Sequence, residues 1–362
     1  MNLTIKTEVL QEMVSKVSKC ASNNKLIPIT SLMNLKVANN YLRLATTDAT
    51  NYFYVTANDK VDCEDFEISV VSDMFTKLVQ KTTSETVTLS LDNNILEVKG
   101  NGTYKLELPL DDGKAIKFPT KLPEDAVGYD VNDVIKKSYI EKILNYNKPA
   151  LAVDLSLPAC CSYYVGDSVM STDRFKVCRT GIKLLSKELL VTPQVMELLG
   201  VMEKEDIDVT YYDGHTIFRS GNDELYAPNV SGVETFPKDS LNGLIDSEFK
   251  SNCKVDKSAV LEMLDRLSLF VSSYDKKAIT LTFTENGIMF SSKKSNGTEL
   301  VPYIDSKDFV PYTCDIDIEF LRSQIVVQEG ETVNISYGSD IAIKMDTNNV
   351  TQIVALIDNE GE

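Results

Sequence analysis

Apolar and polar positions alternate along this chain in two registers, and both registers return at intervals of about 120–126 residues. Residues 85–91, 205–211 and 331–337 each open with an acid and then place an apolar residue at every second position. That period marks a half-buried strand. A turn follows each, at Asp92-Asn93-Asn94, Asp213-Gly214-His215 and Gly338-Ser339-Asp340, and a second alternating strand follows at 95–98, 216–218 and 341–343. The front halves repeat as well. Residues 42–48, ending in Thr47-Asp48, are echoed 125 residues later by 168–173, ending in Thr172-Asp173. Residues 287–292 keep the strand and lose the Thr-Asp.

Helical spacing precedes each front strand. Leu10, Met13, Val14, Val17 and Ala21 form one stripe, and Val260, Met263, Leu264, Leu267 and Val271 repeat it. Residues 132–148 carry a less regular stripe through Ile135, Tyr139, Ile140, Ile143 and Leu144. Second helices are predicted at 72–82, 193–204 and 316–328, the middle one with Thr192 as N-cap and Pro193 at the first helical position. Each repeat therefore reads helix, strands, helix, strands, an α+β layer of antiparallel strands carrying two helices. Turn-rich segments after Phe118-Pro119 and Phe236-Pro237 place the boundaries, giving three like domains at 1–122, 123–245 and 246–362.

Composition narrows the function. The chain has 362 residues with 43% hydrophobic content, enough for real cores. Lys plus Arg number 37 against 54 Asp plus Glu, a net charge of −17, which opposes non-specific nucleic-acid binding by the surface as a whole. The single histidine, His215, excludes sites that need two. No phosphate-cradling glycine loop is present, and Asp111-Asp112 lacks a third ligand, so neither enzymatic activity nor a cofactor or metal is expected. Seven cysteines without CxxC spacing read as reduced thiols of a cytoplasmic protein. Neither a signal-peptide core nor a membrane-length apolar run appears.

With the repeated strand ends Thr47-Asp48 and Thr172-Asp173, the Phe-Pro closures, and Pro28-Ile29 leading into the strand at 32–37, the chain resembles the bacterial β sliding clamp over essentially its whole length. That family is the DNA polymerase III beta subunit, the processivity factor of the replicative DNA polymerase. The resemblance implies a head-to-tail homodimer, a six-domain ring around double-stranded DNA, with a clamp loader as a further partner and no enzymatic step. It places the ring joint at Tyr104 and Leu106 of one chain against Phe270 and Val271 of the other. It also implies helices facing the DNA. The six predicted helices hold twelve Lys or Arg and twelve acids, so the whole deficit of −17 lies elsewhere. Lys16, Lys19, Lys25, Lys77, Lys81, Lys136, Lys137 and Lys148 are the expected phosphate contacts.

The resemblance further implies a groove that docks an apolar peptide of the partner protein, at Leu155, Thr172, Arg174, Phe175, Lys176, Val177, Pro237, Leu241, Val354 and Leu356. Here the chain departs from the family. Arg174, Phe175 and Lys176 stand where Gly, His and Arg are usual. Gly338 and Asp340 lack the expected apolar and small character, and the end at 355–362 has no Met-Pro and three acids. These changes fit a divergent or phage-encoded member with its own peptide preference. The rival reading is a three-repeat scaffold that does not encircle DNA.

Overall fold

The computed structural model describes residues 2–24, 26–119, 130–272, 274, 277–294 and 296–357. Helices lie at α1 Thr7–Val17, α2 Ser72–Gln80, α3 Lys137–Asn147, α4 Pro193–Leu199, α5 Lys238–Ile245, α6 Lys257–Leu267 and α7 Ile318–Val326. Short 3-10 helices extend three of them, at Ser18–Cys20, Lys148–Ala150 and Ser268–Phe270. α1 and α6 bury the stripe predicted for them, through Leu10, Met13, Val14 and Val17 in one and Val260, Met263, Leu264 and Leu267 in the other.

Each repeat opens with a short strand that the periodicity did not separate from its helix. Asn2–Lys6, Asp133–Lys136 and Ser251–Asp256 pair antiparallel with Thr86–Asp92, Asp206–Tyr212 and Thr332–Tyr337. This explains the irregular stripe of the second repeat. Ile135 sits opposite Ile207 as a buried strand residue, and the helix begins only at Lys137. α4 stops at Leu199 before Gly200, short of the expected end at 204. α5 occupies a stretch expected to be a boundary loop. It buries Leu241 and Ile245, one turn apart.

By compactness the chain forms two units, Met1–Ile140 with Gln194–Asn229, and Glu141–Pro193 with Val230–Glu362. The pairing of strands explains this grouping. In the first unit an eight-stranded sheet runs Asp133–Lys136, Asp206–Tyr212, His215–Ser220, Asp223–Pro228, Tyr52–Thr56, Tyr41–Thr47, Leu32–Ala38, Phe66–Val71. The back strands of the second repeat thus join the front strands of the first, with Tyr226 opposite Tyr52. A separate four-stranded sheet orders Asn2–Lys6, Thr86–Asp92, Ile95–Lys99, Thr103–Glu107.

The second unit repeats the arrangement one step along. Lys176–Thr180 pairs with Val350–Ala355, placing Val177 opposite Ile353 inside a twelve-stranded sheet. The Phe-Pro segments fill equivalent places. Phe118 is buried among Tyr52, Tyr54, Ile217 and Tyr226, edge-on to Tyr52 at 6.3 Å. Phe236 is buried among Val177, Leu241, Ile245 and Ile353 and stacks on Tyr164 at 5.0 Å. The division at 122/123 falls among residues outside those described. No described helix is long and apolar enough to cross a membrane.

Candidate partner groove and nucleic-acid face

The two Thr-Asp strand ends build the same turn. Thr47 Oγ1 donates to Asn51 O at 2.6 Å and accepts from Ala49 N at 3.0 Å, while Asp48 Oδ1 accepts from Thr50 N and Asn51 N at 2.8 and 2.6 Å. Thr172 Oγ1 donates to Lys176 O at 2.8 Å and accepts from Arg174 N at 3.1 Å, while Asp173 Oδ1 accepts from Phe175 N and Lys176 N at 3.0 and 2.7 Å. In each copy the third residue takes a left-handed conformation, Ala49 at φ 81° and Arg174 at φ 78°. A glycine would be unstrained there. The Thr-Asp pairs are turn builders, as their position at strand ends suggested.

The second turn presents three side chains of the expected groove. Phe175 is 55% exposed and stacks on Phe320 of α7, ring centroids 5.5 Å apart. Lys176 lies 4.9 Å from the Phe320 ring centre and pairs with Asp173 at 3.2 Å. Arg174 is exposed. Val177, Leu241 and Val354 are buried core residues, Leu356 packs half-buried on the third-repeat core, and Thr172 is buried within its turn. Leu155, 84% exposed, projects from a turn in which Asp154 accepts from Ser156 N and Oγ at 2.9 and 2.7 Å. Those bonds, with Arg174 nearby, hold the Asp154 carboxyl below its ordinary range. Pro237 is exposed at the start of α5.

Backbone bonds carry this surface onward. Ala355 N donates to Phe175 O at 2.8 Å, Leu356 N to Ile341 O at 2.9 Å and Ile357 N to Asp315 O at 2.9 Å. Leu356 and Ile357 then line a cavity of about 850 Å³, with Thr280, Lys293, Tyr312, Asp315, Asp340 and Ile341 among its walls. Asp315 is nearly buried and satisfied on both oxygens, by Thr280 Oγ1 at 2.6 Å and by an ion pair with Lys293. Tyr312 donates to Ser339 O at 2.6 Å, and burial pushes its phenol up to about 12. None of Lys293, Asp315 or Phe320 was singled out in the sequence. Asp315 lies on a strand and Phe320 on a helix whose repeat pattern reads as core, and Lys293 lies in the turn after the strand Gly287–Ser292.

The expected phosphate contacts differ in availability. Lys16 is only 15% exposed and pairs with Glu12 at 2.7 Å and Asp223 at 3.4 Å. Lys77 pairs with Asp73 at 2.8 Å, and Lys136, on a strand rather than a helix, pairs with Asp206. Lys137 donates to Met202 O at 3.2 Å. Lys19, Lys81 and Lys148 are exposed, and Lys25 lies outside the described residues. In the third repeat Lys257 donates to Gln328 O, Arg266 pairs with Glu299 and Arg322 with Asp265. Free positive charge on helix ends is thus found at Lys19 and Lys81, in the first repeat.

Of the expected joint residues, Tyr104 and Leu106 lie on Thr103–Glu107, the last strand of its sheet, paired on one side only among the described residues. Tyr104 is 47% exposed. Phe270 is 54% exposed at the end of the 3-10 helix, whereas Val271 packs half-buried on the third-repeat core. The strand Thr298–Lys307 adds what the sequence did not indicate. It exposes Leu300, Pro302 and Ile304, and among the described residues its 298–302 half pairs only with Gly287–Ser292.

Residues 1–116 match the family model of the DNA polymerase III beta subunit, N-terminal domain. Over its whole length the chain superposes on solved clamps. The DNA polymerase III beta subunit of Thermotoga maritima aligns with TM-score 0.84 at 17% identity, covering 99% of each chain. The DNA polymerase sliding clamp of Bacillus subtilis gives 0.83 at 16% identity, again over 99% of each. The DNA polymerase III subunit beta of Borrelia burgdorferi, solved with a natural product, gives 0.84 at 17%, covering 99% of this chain and 100% of that one.

This chain has the sliding-clamp fold.

No curated protein sequence matches it. The clamp fold accounts for the threefold repeat and for the sheets shared between successive repeats. All seven cysteines are unpaired, and burial pushes four of them, Cys20, Cys178, Cys253 and Cys314, up to about 12, which keeps those four as unreactive thiols. His215 stacks on Tyr226 at 4.4 Å, with its Nδ1 2.8 Å from Asp213 O. Among the described residues no group of three or more His, Cys, Asp or Glu gathers as a metal site.

Proposed function

We propose that two copies of this chain close head to tail around double-stranded DNA and tether a replicative DNA polymerase, conferring processivity without catalysing a reaction. The observation that carries this is the clamp fold extending over 99% of the chain, with the family's first domain matched at 1–116. The ring joint would form by sheet extension. The free edge at Thr103–Glu107 with Tyr104 and Leu106 would meet a second copy at Phe270, Val271 and the half-open strand carrying Leu300 and Pro302. Lys19 and Lys81 supply loose phosphate contacts, Lys25 and Lys148 are further candidates, and Lys16, Lys77, Lys136 and Lys137 are held by their own partners. The groove from Leu155 and Phe175 to Leu356 receives an apolar peptide of the polymerase and of the clamp loader.

The deciding experiment is topological. Protein loaded on nicked circular duplex is expected to co-elute with the DNA and to be lost when a single cut linearises it. Equal retention on circle and line would remove the ring reading and leave a surface binder or scaffold.

A further inference from the structure

The groove and the cavity adjoin at the end of the last strand. Ala355 N donates to Phe175 O, and the next two residues, Leu356 and Ile357, line the cavity beside Ile341 and Asp340. The centre of this surface is apolar and aromatic, built from Phe175 on Phe320 and from Leu356 and Ile341. Its two ends carry opposite charge. At one end Arg174 is exposed and, among the described residues, has no ion-pair partner, while the neighbouring Lys176 is neutralised by Asp173. At the other end Lys293 is committed to Asp315, and Asp340 is exposed with no ion-pair partner among the described residues. A chain of net charge −17 thus keeps an exposed cation beside the groove, within electrostatic reach of Asp154 but not ion-paired to it, and leaves its far wall with an exposed carboxylate.

We infer that this surface selects a partner peptide with an apolar Leu or Phe centre, a carboxylate at the end over Arg174 and a basic side chain at the end over Asp340. The inference rests on the peptide-docking reading of the groove and adds the order of charges to it. Apolar anchors supply the affinity, and the end charges set which peptide is preferred and in which direction it lies. Neither charge lies in the apolar centre, so each tunes selection without building the site.

Three acetylated and amidated hexapeptides with a Leu-Phe centre test it on the full-length protein at about 0.15 M salt. One carries Glu at one end and Lys at the other, one Glu at both ends, and one Lys at both. The mixed peptide is expected to bind the wild type about three- to fivefold more tightly than either like-charged one, the range of an exposed ion pair. Asp340→Lys should move the preference to the doubly acidic peptide, and Arg174→Glu to the doubly basic one. Asp340→Lys alone carries the test if the turn does not tolerate Glu at 174. An unchanged ranking in the variants, with all peptides bound, overturns the charge order and leaves the groove intact. Failure of every peptide to bind the wild type overturns the docking reading itself, and the inference with it.

Discussion

Lys16 of α1 reaches the carboxylate of Asp223 at 3.4 Å, tying the first helix of the first repeat to a strand of the second. Asp223 is buried, and burial raises its pKa to about 6 against the opposing pull of Lys16. The folded chain therefore keeps a proton that the unfolded chain releases near the ordinary value of 3.8. Between those two values stability falls as pH rises. Melts of wild type and Asp223→Asn should diverge over that window, the wild type losing ground to the variant as pH climbs from 4 to 6. Lys16→Met should instead cost about 3 kcal/mol at pH 7.5, because it strands a buried carboxylate. Parallel pH profiles for wild type and Asp223→Asn would contradict the assignment.

Arg174 pays for its left-handed backbone. Replacing it by glycine should raise stability by about 0.5–1 kcal/mol in urea unfolding, and the same change at Ala49 should act in the same direction. Asp173→Ala removes the acceptor for two backbone amides and should cost about 1–2 kcal/mol. A destabilised Arg174→Gly would mean that the arginine side chain contributes more than its backbone costs.

Among the described lysines expected to contact phosphate, Lys19 and Lys81 are exposed and in no ion pair. The double variant Lys19→Ala/Lys81→Ala should reduce the salt dependence of DNA binding by about two phosphate contacts, a slope change of roughly 1.8. Lys77→Ala and Lys136→Ala, whose charges are already paired, should change it much less. The reverse order in a salt titration would place the phosphates elsewhere.

The edge strand at Thr103–Glu107 makes a mass prediction. The 40.3 kDa chain should travel as a dimer of about twice that mass, the smallest closed assembly for a head-to-tail contact. Leu106→Asp or Phe270→Asp should shift light scattering to the monomer, while each variant retains its melting transition. A monomeric wild type at micromolar concentration would argue against the joint.

Much of the fold was legible because a half-buried strand and an amphipathic helix each leave a period in the chain. The strand pairs after the turns at Asp92, Asp213 and Gly338, and the stripes of α1 and α6, needed nothing more. The opening strands Asn2–Lys6, Asp133–Lys136 and Ser251–Asp256 stayed hidden because they run straight into helices, so two periods blur into one. α5 stayed hidden because it is eight residues long and follows a proline segment that reads as a loop.

The sequence by itself determined the threefold repeat, the α+β class, the Thr-Asp turns and the excess of acid outside the helices. All of these are local pattern or simple composition. Only the tertiary structure decided which charges are free. Lys16, Lys77, Lys136, Lys137, Arg266 and Arg322 look alike as letters, and each is neutralised or held by a residue brought from elsewhere on its helix or from a distant segment. Only the tertiary structure, too, set Phe175 on Phe320 and brought the groove beside the cavity at Leu356 and Ile357. Those relations depend on strand register and helix packing across more than a hundred residues, which no local period records.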